Sequence, residues 1–161
     1  MNTLLIIAFG IITVYLAATA FLCDGVPCSI SNTYYLWGVY FNKRFLFTFV
    51  MWLVGILTII CWIGKCAGRY EFLPFLSVSG MMFVGAAAAF KETLTKSVHY
   101  TAAGVWAGAA TAFFALVGNW QAMVLGLVFG LAGWLINRRQ NLTFWAELAV
   151  VVMMFIGIYC L

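Results

Sequence analysis

Few side chains here can ionise, and Glu147 lies deepest within an apolar run. It is the sixth residue of a run opening Leu142-Thr143-Phe144-Trp145-Ala146, about 1.5 helical turns in. A carboxylate at that depth in hydrocarbon is costly, so it is expected to find a protein or water partner and to mark a site. Cations available on its side are Lys91, Arg138 and Arg139. The plainer alternative is a headgroup-level carboxylate that snorkels to water. His99 opens an earlier run on the same side, just after Lys91 and Glu92 close the run before it. A lone His with no evident Ser, Cys or Asp partner makes no triad, so no catalytic residue is assigned. The segment Pro27-Cys28-Ser29-Ile30-Ser31-Asn32-Thr33-Tyr34-Tyr35 also falls on this side. Its Ser31, Asn32 and Thr33 supply neutral donors and acceptors. The candidate ligand-binding set is therefore His99, Glu147, Lys91, Glu92, Arg138, Arg139, Ser31, Asn32 and Thr33.

Metal chemistry finds no support. The five cysteines include no CxxC pair and no Cys/His cluster, so neither a metal nor a cofactor is expected. Cys23 and Cys28 bracket Asp24-Gly25-Val26-Pro27. They could close a small disulfide in an oxidising compartment or serve as small apolar residues.

The elements that position these groups follow from composition. The chain has 161 residues, 66% hydrophobic and 7% charged, against about 45–50% and about 25% in soluble domains. That excludes an ordinary soluble domain, a disordered chain and a collagen. The formal charge of +4 is spread over flanks, so a nucleic-acid partner is not expected. Apolar runs fall at 4–22, 45–63, 72–90, 98–117, 120–136 and 142–161, each 17–20 residues long. Roughly 20 apolar residues cross a bilayer as a helix, and backbone polar groups there must be satisfied within helices. Alternating strands are absent, which argues against a β-barrel. The expected fold is all-α: a polytopic integral membrane protein, one six-transmembrane-helix bundle spanning 1–161. Only Gly118-Asn119 separate the fourth and fifth runs, so these should form a hairpin. The first run lacks a positive n-region and reads as a retained helix, not a signal peptide. Residues 23–44, loop one, are rich in aromatics and poor in charge and read as a lid or re-entrant cap.

Trp62, Trp120, Trp134 and Trp145 lie near run ends, where indole rings anchor at headgroup level. Trp52 and Trp106 lie nearer the middle. Gly126 and Gly130 form a GxxxG continued by Gly133, a face that lets helices approach closely. Packing within the chain is the first reading of that face, and a homo-oligomer through Gly126 and Gly130 the second. Lys43, Arg44, Lys91, Lys96, Arg138 and Arg139 lie on one side, against Lys65 and Arg69 on the other. The positive-inside rule puts the six in the cytoplasm and both termini outside. The expected location is a membrane of the bacterial inner (cytoplasmic) type.

In order, these features resemble the Frag1/DRAM/Sfk1-like six-span family. The counterparts are Pro27 with Ile30-Ser31-Asn32-Thr33, the Gly-rich residues 80–85 running to Phe90-Lys91-Glu92, Val98-His99, and Trp145 with Glu147. Asn32 stands where the family has an acid, and an extra residue separates Pro27 from Ile30. Trp145 and Glu147 are reversed and spaced by Ala146. The resemblance implies a six-span fold, a role in a membrane-lipid setting and a first loop outside the cytoplasm, opposite to the charge count.

The function expected first is non-catalytic binding of a membrane lipid or small amphiphile in a one-sided polar site near loop one. A small transporter or channel is the alternative, but it would want polar groups through the membrane depth, and the run middles are almost wholly apolar. A lipid-modifying enzyme, with His99 and Glu147 as acid and base, comes third.

Overall fold

Each of the six apolar runs carries a helix over most of its described residues in the computed structural model. The structure describes residues 1–23, 25–66, 68–88 and 93–161, with 93–96 described by backbone alone. Among the described residues there are seven helices and no strand: α1 (Asn2–Leu22), α2 (Thr33–Phe41), α3 (Phe45–Cys66), α4 (Phe72–Ala87), α5 (Thr93–Leu116), α6 (Trp120–Ile136) and α7 (Leu142–Tyr159). The addition to the expected set is α2, which forms inside the stretch 23–44. Three helices, α1, α3 and α7, are long and apolar enough to cross a membrane. Helices α4 and α6 are apolar but shorter. These features are compatible with an integral membrane protein.

Local chemistry sets the helix ends. Pro74 occupies the first turn of α4, where its missing N–H costs no intrahelical bond. Between α5 and α6, Gly118 takes a left-handed φ of 75°. Asn119 then caps α6, its side-chain oxygen accepting the Ala122 N–H at 3.4 Å while its amide donates to the Gly157 carbonyl at 3.2 Å. That turn is the hairpin expected at Gly118-Asn119.

Helix α4 packs on α5 and α6 on α7 most extensively, while α3 joins α4 to α1. Glycines make the close pairs possible. A Cβ on Gly80 would lie 2.7 Å from the Ala102 carbonyl oxygen and the Trp106 nitrogen. Gly126, Gly130 and Gly133 turn toward α7, against Met153, Ala149 and Trp145. The small-residue face of α6 is thus filled by the chain's own last helix. At the core Trp62 stacks on Phe114 (centroids 5.3 Å, planes 8° apart) and meets Phe113 edge-on.

The two ends of the molecule differ. At one end the Lys65 ammonium donates to the Ile158 and Tyr159 carbonyls at 2.7 and 2.9 Å, neutralising carbonyls that α7 leaves open at its C-terminus. The other end carries loop one. Around the outside, large apolar side chains such as Val14, Phe75, Phe83, Leu127 and Ile136 are exposed, a surface far more apolar than water-soluble monomers present.

Candidate functional site

Loop one is fastened on two sides. On the α1 side the fastening is a chain of neutral hydroxyls. The Trp37 indole N–H donates to Thr19 Oγ1 at 2.7 Å, and Thr19 donates onward to the Tyr15 carbonyl at 2.8 Å. The Tyr15 hydroxyl donates to Thr33 Oγ1 at 2.8 Å, and Thr33 donates to the Ile30 carbonyl at 2.6 Å. The Tyr15 and Trp37 rings stack at 6.0 Å. Thr19 and Thr33 have no solvent exposure. Each both gives and receives a bond, which buried hydroxyls need if burial is not to cost stability.

On the α7 side the fastening is backbone to side chain. Glu147 Oε2 accepts the Ile30 N–H at 2.5 Å. The Cys28 carbonyl accepts the Phe144 N–H at 3.2 Å, and the Asn141 amide donates to the Val26 carbonyl at 2.7 Å. The Phe144 N–H belongs to the first turn of α7, where helix geometry supplies no partner, so loop one caps α7. Between these anchors the chain winds through successive turns: Ser29 Oγ accepts the Asn32 N–H at 3.1 Å and lies 3.0 Å from Ser31 Oγ. Ile30, 1% exposed, is the apolar plug.

The structure brings Glu147 together with the segment carrying Ser31, Asn32 and Thr33. Thr33 is buried, whereas Ser31 and Asn32 are partly exposed. Among the described residues no cation bonds Glu147, and the Ile30 amide donates to it. Arg138 and Arg139 are exposed and hold left-handed φ values of 52° and 62° in the turn before α7. His99 is half-buried on α5 with its ring against Tyr100 at 6.0 Å. Among the described residues no hydrogen bond or ion pair joins His99, Arg138 or Arg139 to Glu147. Lys91 and Glu92 lie outside the described residues. Cys28 is a free, exposed thiol. Among the described residues no three His, Cys, Asp or Glu side chains converge as a metal site.

Two grooves open on the outer surface at the loop-one end. One, of about 620 Å³, is lined by Tyr34, Arg44, Phe45, Thr48, Phe49 and Trp52. The other, of about 390 Å³, lies between α4 and α5 and includes Ser79, Ser97 and Thr101. Sequence reasoning took Arg44 only as a charge in the topology count. Its position directly before an apolar run with Trp52 eight residues on was the available signal. Tyr15 and Thr19, four apart on one helical face, were a second signal.

Thr33→Val removes one acceptor and one donor together, leaving the Tyr15 hydroxyl and the Ile30 carbonyl without this partner. The expected loss is about 1–3 kcal/mol, read as a lower thermal unfolding temperature in detergent. A variant as stable as the parent would show that the hydroxyl chain does not hold loop one. No family model matches the chain, and no curated protein or solved structure matches it either.

Proposed function

We propose that the chain is a six-span integral membrane protein that binds a lipid or small amphiphile at its loop-one end, as a non-catalytic membrane factor. Helices α1, α3, α4, α5, α6 and α7 are the spans on this reading. At 1.5 Å per residue, α4 and α6 reach only about 24 and about 26 Å, short of a core of about 30 Å, and local thinning of the bilayer accommodates the difference. The resemblance to the Frag1/DRAM/Sfk1-like proteins belongs to the same proposal.

The observation that carries the reading is the fastening of loop one between α1 and α7, with Glu147 on the Ile30 amide. A loop held this closely forms a fixed cover whose flanks open as grooves toward the lipid. The polar groups bonded beneath it are at one end of the molecule, and no described polar track runs through the bundle as a conduction path would require.

The test is crosslinking with a phospholipid carrying a photoactivatable acyl chain, in reconstituted vesicles, with adducts mapped by mass spectrometry. Adducts should concentrate at the loop-one ends of α3, α4 and α5. An even spread over all outward-facing helices, including the opposite end near Leu5 and Tyr159, would overturn the reading.

A further inference from the structure

We propose that Arg44 and the groove beside it seat an anionic phospholipid, its phosphate on the guanidinium and one acyl chain along Phe45, Phe49 and Trp52. This rests on the lipid-binding reading above and specifies its headgroup and its seat.

The groove walls argue for the acyl chain. Thr48 Oγ1 donates to the Gly85 carbonyl at 2.9 Å, and the Trp52 indole N–H donates to the Met82 carbonyl at 3.1 Å. The polar atoms of Thr48 and Trp52 are thus committed to α4, and the remaining polar lining is Tyr34 and Arg44. What they leave facing the groove is methyl and ring surface, suited to a hydrocarbon chain and unsuited to a polar solute. Phe45, Phe49 and Trp52 are 64%, 58% and 45% exposed on that outer face, and a groove of about 620 Å³ is within the usual range for small-molecule sites.

The mouth of the groove argues for the phosphate. The Arg44 side chain crosses α2 at Gly38, where an added Cβ would lie 2.5 Å from its Cγ and Nε. The glycine makes room for the arginine, which fixes the stem over the helix instead of leaving it free in solvent. Among the described residues no carboxylate or carbonyl bonds the guanidinium. Its planar fork matches two phosphate oxygens, and it directly precedes the first residue of α3, at the depth where headgroups lie. Lys43 is exposed and lies outside the groove lining, so the preference for a headgroup with net negative charge over a zwitterion falls to Arg44.

The experiment uses the full chain in vesicles of phosphatidylcholine containing a minor fraction of dibrominated phosphatidylglycerol or dibrominated phosphatidylcholine. Bromine quenches nearby indoles, and the difference between the parent and Trp52→Phe isolates Trp52. Brominated phosphatidylglycerol should compete for the Trp52 position about fivefold better than brominated phosphatidylcholine, as about one cationic contact implies. R44Q should bring the two lipids to parity, R44K should keep most of the preference, and Gly38→Leu, which displaces the arginine without removing it, should behave like R44Q. Equal quenching by both lipids in the parent overturns the seat without any variant, as does a preference that survives in R44Q. If crosslinks still concentrate at the loop-one end, such a result removes the anionic seat and leaves lipid binding standing. Crosslinks spread evenly would remove both.

Discussion

Glu147→Ala should lower the stability of the detergent-solubilised protein by about 1–3 kcal/mol, the usual cost of stranding a buried donor. The donor is the Ile30 N–H, on a residue 1% exposed, and the Glu147 carboxyl oxygen is its acceptor. The loss should extend beyond one bond. Ile30 is buried in the core, and its carbonyl receives the Thr33 hydroxyl, so a loosened Ile30 loosens the α1 fastening as well. Glu147→Gln keeps an oxygen in place and loses the charge, so it should recover most of the stability. Thermal unfolding of the three proteins, followed by tryptophan fluorescence, orders them as parent, Gln, Ala. An Ala variant that unfolds with the parent would mean that the carboxyl does not secure loop one.

A larger effect is expected from replacing Gly126 and Gly130 together with Leu. A Cβ at Gly126 would lie 2.7 Å from the Ala149 carbonyl oxygen and the Met153 Cβ; one at Gly130 would lie 2.7 Å from the Ala149 Cβ and 2.9 Å from the Trp145 carbonyl oxygen. Backbone carbonyls of a helix cannot swing aside as a long side chain can. Overpacking costs about 1–3 kcal/mol at each site, and the remaining route is to part α6 from α7. The double variant should unfold at markedly lower temperature and elute as a broadened or aggregated species. Unchanged unfolding and elution would show that the two helices do not approach at these glycines.

Much of the helix set was legible because apolar run length is a direct physical requirement. Runs at 4–22, 45–63 and 142–161 became α1, α3 and α7 within a few residues. The helix α2 was not legible. Its sequence, Thr33-Tyr34-Tyr35-Leu36-Trp37-Gly38-Val39-Tyr40-Phe41, is rich in aromatics with weak intrinsic helix preference, and it is helical because its rings pack on α1 and α3. Glu147 was legible as a group needing a partner, since the cost of burying a carboxyl depends only on its depth. Its partner was not, because a backbone N–H leaves no mark in residue type. Cations on the same side were the natural expectation, but Arg138 and Arg139 are taken up in a left-handed turn with their side chains exposed. The glycine face of α6 announced a close contact, whereas its partner depended on chain order: α7 follows within a short turn.

The bond between Ile30 and Glu147 joins residues 117 apart in the chain, and this separation bears on biogenesis. During synthesis the first loop emerges long before the helix that completes it. Until that last helix is in place, the Ile30 amide and the Val26 and Cys28 carbonyls lack these partners. Loop one therefore closes late, as a final step of folding, and a nascent chain halted before residue 141 would present an unfinished loop.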